Sequence, residues 1–443
     1  MIRRENSDSI PTDLVNEILS RLHAKSIARF RCVSKLWSSM ILRPYFTDLF
    51  LTRSSACPQR LLFAVQLDGD EWCFFTSSQP QNPYDEESSS SLVVTADRHM
   101  KFLGDEWLET CGYTSGLICF CRHKAISEVD KHTVICNPST GQYASLPIPK
   151  KWTCWRRYLG FDPIGKQFKV SSLSCGEKGY QYEILTLGTG KFLWRKIHCP
   201  FNHFPEHHLH REICINGFLY YLAGYHNDER IDKHRYLVVC FDVRSEKFKF
   251  IYRDFILDGF LPELINYKGK LGVFTRTYSP PGTRNSIKLC LSVLKDVEKS
   301  EPEWSEYSYS CWQNQFPKCV VYDFWEYRIV GVTATSEIVF STEDASRQSY
   351  VFFFNPQRNT LLSVEIQGFG AGTFEKRRRR VQVFLNYVED LKFITMKTTN
   401  AVTPKQKSTS TTSSEAYQEQ DGRRFESINK FDSLRLLDDD EFT

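Results

Sequence analysis

Four groups of residues in this sequence have the side-chain types that chemistry uses, and spacing decides what each can do. Gly188-Thr189-Gly190-Lys191 has the glycines and lysine of a phosphate-cradling loop. Such a loop also needs an earlier glycine, a following Ser or Thr and a helix whose N-terminal N–H groups face the phosphates. Phe192-Leu193-Trp194 follows instead and reads as a strand, so the segment is expected to be a hairpin turn. His198, Cys199, His203, His207, His208 and His210 crowd one stretch, but their spacing matches no zinc pattern. Cys119 and Cys121, with His123 nearby, would share one face of a strand and read as packing residues. Lys376-Arg377-Arg378-Arg379-Arg380 fits a nuclear-import or nucleic-acid patch and equally a solvated loop. No nucleophile elbow, Cys/His signature or carboxylate pair stands out. The expectation is therefore no catalytic residue, no metal ligand and no cofactor.

The bulk numbers point the same way. Basic residues number 57 and acidic ones 53, a net charge of +4, which calls for neither nucleic acid nor an anionic membrane. No stretch approaches the roughly 18 consecutive apolar residues of a membrane span. The 15 cysteines are odd in number and scattered, and Met1 to Ser7 is polar, so free, reduced thiols in a soluble intracellular protein are expected. With 33 Phe and 21 Tyr, the composition favours pleated strands.

Two kinds of element must carry whatever the chain does. Leu14, Val15, Ile18, Leu19 and Leu22 lie on one face of a helix, with Thr12 as the candidate N-cap. A second helix is expected over Ser26 to Val33, and Ser34 can cap a third carrying Leu36, Trp37, Met40 and Ile41 until Pro44 stops it. Three helices in about 40 residues are too few to bury all their apolar positions, so one face should need a partner.

From Leu61 onward, short apolar runs alternate with polar turns. Turns at 137, 188, 242, 296 and 355 are separated by 51, 54, 54 and 59 residues. Each is preceded by a hairpin with its turn at Ser115-Gly116, Asp162-Pro163, Asn216-Gly217, Lys268-Gly269 or Ser336-Glu337. Four strands per unit of about 50 residues predict an irregular β-propeller of five or six blades. Leu61 to Phe75, with a turn at Asp68-Gly69-Asp70, supplies part of a sixth unit, and Val381 to Phe393 a closing strand. Gln79 to Ser91 reads as a surface excursion, and the polar chain after Lys397 as disordered.

Ile10-Pro11-Thr12-Asp13-Leu14-Val15-Asn16-Glu17-Ile18-Leu19-Ser20-Arg21-Leu22, followed by Lys25 to Trp37, resembles an F-box, except that His23 stands where plant F-boxes usually carry Pro. The remainder resembles the F-box-associated domain of plant proteins, type 3 included. That likeness rests on Gly116-Leu117-Ile118-Cys119, Cys136-Asn137-Pro138-Ser139-Thr140-Gly141, Gly160-Phe161-Asp162-Pro163, Phe241-Asp242 and Val388-Glu389-Asp390-Leu391. The resemblance implies a non-catalytic receptor subunit of a Skp-cullin-F-box (SCF) ubiquitin ligase complex, and no cysteine sits where it would accept ubiquitin. The F-box would occupy residues 1–50, with its core at 8–46, the target-binding β domain 51–395 and the tail 396–443. Ile10, Pro11, Leu14, Ile18, Leu22, Ile27, Val33, Lys35 and Trp37 would meet a Skp-type adaptor and, through it, a cullin scaffold. A protein target would bind the β domain, in the nucleus, the cytoplasm or both. A small-ligand sensor or propeller enzyme that uses the F-box for regulation is the other reading, marked by charged side chains converging at a channel mouth.

Overall fold

The computed structural model describes residues 10–67, 71–80, 91–95, 97–103, 108–122, 133–147, 153–176, 179–189, 193–205, 212–225, 235–253, 262–278, 286–299, 301–312, 327–342, 349–369 and 380–391. The turn expected at 68–70, most of the 79–91 excursion, the basic run up to Arg379 and the polar tail lie outside them.

Four helices open the described chain: α1 (Thr12–Leu19), α2 (Ala24–Phe30), α3 (Lys35–Ile41) and α4 (Pro44–Ala56). The expected three helices become four because Pro44 starts a helix instead of ending one. At the first helical position its missing N–H would have had no partner anyway, and its fixed φ suits the helix. The expected boundary at residue 50 falls inside α4. Ser34 caps α3 as predicted, its Oγ accepting from Trp37 N at 3.1 Å. Thr12 is the first residue of α1 and not its cap; Pro11 holds that position without a side-chain bond.

The strands form six sheets. Blade 1 holds β1 (Arg60–Gln66), β2 (Glu71–Ser78) and β4 (Asp97–Leu103); blade 2 holds β5 (Leu108–Thr114), β6 (Leu117–Arg122), β7 (Thr133–Asn137) and β8 (Gln142–Leu146). Blade 3 is β9 (Thr153–Asp162), β10 (Gln167–Gly176), β11 (Gly179–Thr186) and β12 (Arg195–Ile197). Blade 4 is β14 (Glu212–Ile215), β15 (Phe218–Tyr225), β16 (Arg235–Asp242) and β17 (Phe248–Tyr252), with the short β13 (Phe204–Pro205) also on β15. Blade 5 is β18 (Glu263–Tyr267), β19 (Lys270–Tyr278), β20 (Ser286–Leu294) and β21 (Trp304–Trp312). Blade 6 is β22 (Tyr327–Val332), β23 (Ile338–Thr342), β24 (Ser349–Asn355) and β25 (Thr360–Gln367).

Two pairings close the ring. β26 (Val381–Tyr387) returns from the C-terminal side to pair antiparallel with β1 as the innermost strand of blade 1. β3 (Ser91–Thr95) crosses to blade 6 and pairs parallel with β25. Closure hides sheet edges that would otherwise be open to other chains.

Blade stacking explains why the middle strands read as unbroken apolar runs. In β1, Leu61, Phe63 and Val65 join the core against blade 6, while Leu62 and Ala64 join the core against blade 2. Both faces are buried, so polar alternation would leave unpartnered groups in an apolar layer. Every pair of neighbouring blades has one such cluster, and the helices have their own.

Tight turns join the first two strands of most blades. Ser115-Gly116, Asn216-Gly217 and Lys268-Gly269 have positive φ at both residues, as a two-residue hairpin turn of the strand-matching twist requires. These turns meet in a ring at one end of the propeller: a methyl on Gly217 would lie 3.1 Å from Pro163 Cδ, and Asn216 Nδ2 donates to Gly269 O at 3.0 Å.

Candidate functional site

Packing the helical module leaves a row of apolar side chains outside it. Leu19, Ala24, Ile27, Ile41, Phe46 and Phe50 are buried together, with Val15, Leu22, Phe30 and Trp37 half-buried around them. On the same two-turn helix that buries Leu19, Leu14 and Ile18 remain 54% and 56% exposed, because one helix face cannot turn all of its apolar positions inward. Ile10, Val33 and Leu36 are exposed to 63%, 66% and 64%. Pro11 and Lys35 are exposed too. Ile27 differs from the expectation, since at 0% exposure it is inside the module and unavailable to any partner in this conformation. Leu36 enters the exposed set in its place. It is the second residue of α3, at the open end of the helix, where the core cluster does not reach it. Glu17 ties α1 to α4 through the Arg53 guanidinium, which, with Arg21, holds its carboxyl below the usual range.

The module sits on the turn ring. Lys166 Nζ on the β9–β10 turn lies 2.9 Å from Asp48 Oδ2 on α4. Leu51 and Ser55 of α4 help to line the central channel, a cavity of about 840 Å³ walled by β26, β5, β14, β18 and β22. At the end where those strands begin, Thr110, Glu212, Glu263, Arg328 and Gln382 converge. Glu263 and Arg276 form a buried ion pair; Glu263 also accepts from Ile329 N at 2.6 Å and Arg276 donates to Tyr327 O at 2.7 Å, which locks blade 5 to blade 6. Burial pushes the Glu212 carboxyl up to about 7 against the opposing pull of Arg156 and Arg328.

The catalytic candidates dissolve into packing. His203 is buried between two tyrosines, Nε2 at 2.9 Å from Tyr221 OH and Nδ1 at 3.0 Å from Tyr182 OH, and burial lowers it to about 4. Cys119 and Cys121 share the core between blades 2 and 3, with Cys111 Sγ 3.2 Å from Cys119 Sγ. Burial raises Cys111 and Cys119, so both stay protonated and unreactive. Gly188, at φ 82°, is in a turn after β11, while Gly190 to Phe192 lie outside the described residues and the next strand begins at Arg195, after Leu193 and Trp194. Among the described residues no group of three or more His, Cys, Asp or Glu side chains could hold a metal.

Residues 60–388 match the model of the F-box associated beta propeller domain, and residues 7–49 that of the F-box domain. The chain belongs to the F-box proteins that carry an F-box-associated β-propeller. Similar relatives in Arabidopsis thaliana include F-box protein At1g31080, 42% identical over 99% of this chain and 100% of its own length. F-box protein At3g57590 is 44% identical over 87% of this chain and 91% of its own, and F-box only protein 12 is 45% identical over 86% and 82%. Among solved structures, the β-propeller domain of the Trilobed protease from Pyrococcus furiosus is 12% identical with a TM-score of 0.32, covering 56% of this chain and 68% of its own. A likeness that slight bears on nothing in the F-box protein's function.

Proposed function

We propose that this F-box protein is the target-receiving subunit of a Skp-cullin-F-box ubiquitin ligase. The observation that carries the reading is the exposed row Ile10, Leu14, Ile18, Val33 and Leu36 on a module whose core, from Leu19 and Ile27 to Phe46 and Phe50, is packed beneath it. Exposed apolar area of this kind on a small helical module marks a protein-binding surface. The partner is a Skp-type adaptor, joined through Pro11, Leu22, Lys35 and Trp37 at the margins of the row, and a cullin scaffold lies beyond it. The propeller would hold a protein target at the end away from α4, and the ligase would act in the nucleus, the cytoplasm or both. The subunit performs no bond-making step: it raises the local concentration of the target's lysines near a charged ubiquitin-conjugating enzyme.

Affinity capture from plant cells with the proteasome blocked tests the reading. The intact chain is compared with a Leu14→Asp/Ile18→Asp variant, in which both changes fall on exposed positions. Adaptor and cullin captured by the intact chain alone, with other proteins retained by both, is the expected result. Equal adaptor recovery from both chains, or from neither, overturns it.

A second reading has one specific observation in its favour. Glu212 and Arg328 converge with Gln382 and Thr110 on a cavity large enough for a small molecule. A polar ligand there, bearing both hydrogen-bond donors and acceptors, would make the F-box protein a sensor.

A further inference from the structure

The residues that follow β26 belong to two bodies at once. On the propeller side, Asn137 Nδ2 donates to Asp390 O at 2.9 Å, Asp390 N donates to Ser139 Oγ at 3.1 Å, and Ser139 Oγ lies 2.6 Å from Tyr387 OH. The turn after β7 is thus clamped to the closing strand. Gly116 allows this approach, since a Cβ there would fall 2.9 Å from Asp390 Cβ.

On the helical side, Leu391 is fully buried in the same cluster as Leu19, Ala24, Ile27, Ile41, Phe46 and Phe50. The F-box core therefore contains a residue from the far end of the described chain. Glu389 Oε2 accepts from Ala24 N at 2.7 Å. That N–H is at the first turn of α2, where the N-cap His23 offers no side-chain bond. Helix N-termini leave such donors without intrahelical partners, and a carboxylate there also suits the helix dipole. Glu389 supplies from the propeller the cap that the helix's own sequence lacks.

We propose that closing the propeller and completing the adaptor-docking module are one linked event. β26 closes the ring, and the residues just after it deliver the missing core side chain and the missing cap. A chain with an open ring then presents an F-box without Leu391 in its core or Glu389 on α2, and docks the adaptor weakly. Linkage works in both directions, so a bound adaptor also favours the closed ring. Glu389 and Leu391 act through α2 and the module's core, away from the exposed row, and are positioning residues. The functional arm of this proposal rests on the docking reading above; the structural arm does not.

The test uses the full chain. Hydrogen exchange is followed by mass spectrometry over residues 24–30 and over β26, alongside adaptor affinity, in Glu389→Ala, Leu391→Ala and the conservative Glu389→Gln and Leu391→Met. A fifth variant, Val383→Asp, loosens β26 against blade 6 from within the ring core. The alanine variants and Val383→Asp should speed α2 exchange at least tenfold and weaken adaptor binding about tenfold, with the Gln and Met variants within threefold of the parent. Faster β26 exchange in Val383→Asp with unchanged α2 protection overturns the linkage, as does unchanged α2 exchange in both alanine variants. If the parent chain binds no adaptor, the docking reading fails and the exchange arm still decides the linkage.

Discussion

Replacing Leu14 and Ile18 with alanine should weaken adaptor binding about 30-fold and leave the fold intact. Fully burying one Leu or Ile contributes about 1.5–3 kcal/mol, and roughly half of each side chain is still uncovered in the free protein, at 54% and 56% exposure. Docking then gains about 1 kcal/mol from each, or about 2 kcal/mol for the pair, which corresponds to a factor of about 30 in Kd. The two sites are one helical turn apart on α1, and their effects should add only approximately. Isothermal titration of the full chain with a Skp-type adaptor measures the loss. Thermal unfolding provides the control, because neither side chain contributes to the core and the midpoint should move by no more than about 1 °C. Ile27→Ala should instead lower the unfolding midpoint markedly, through a cavity inside the module. A double variant that binds within threefold of the parent would refute the docking row.

Other expectations follow from buried charge and buried thiols. Arg276→Met removes the buried ion-pair partner of Glu263 between blades 5 and 6 and should cost about 3–5 kcal/mol in urea unfolding, most of which Glu263→Gln in the same chain should restore. His203 is held near 4 in the fold against a reference of 6.5, so the unfolded chain takes up a proton that the folded one refuses as pH falls through that window. Stability should therefore drop by about 3 kcal/mol between pH 6.5 and 4, a slope that His203→Gln removes. Glu212, raised to about 7 from 4.5, works in the other direction: its contribution is lost as pH rises through that range. Glu212→Gln should accordingly stabilise the protein at pH 8 and not at pH 4, as read by urea midpoints. Among the described cysteines, Cys32 and Cys57 are exposed and should react with a thiol reagent at neutral pH, while Cys73, Cys111, Cys119, Cys121, Cys136 and Cys240 should react only on unfolding.

Periodicity was legible wherever local chemistry determined it. Ser115-Gly116, Asn216-Gly217 and Lys268-Gly269 announce their hairpins because only such pairs accept positive φ at both positions. The apolar runs between them, buried on both faces, give the blade spacing. Closure by β26 was also readable, since a sheet that begins with β1 lacks an inner strand. What escaped depends on contacts distant in sequence. β3 pairs with β25 across most of the chain. Leu391 completes a core of residues 19 to 50, and Glu389 caps a helix whose own N-cap is His23; neither has a local signal. Ile27 and Leu36 could not be sorted by pattern, because a short helix with apolar residues on several sides does not reveal which of them its neighbours cover.

The two ends of the ring face different demands, and this bears on where target recognition resides. At the α4 end the turns touch one another and need glycine or a left-handed φ, so a substitution there disturbs the ring and the joint with the helices together. The inner strands begin at the other end, and the connections that lead into them, such as residues 313–326 before β22, differ in length from blade to blade. A receptor that must change targets without losing its adaptor would vary at that end. Exchanging residues 313–326 for the corresponding stretch of a relative should change the set of captured proteins and leave adaptor affinity within threefold. Loss of adaptor binding in that exchange, with the captured set unchanged, would place recognition at the α4 end instead.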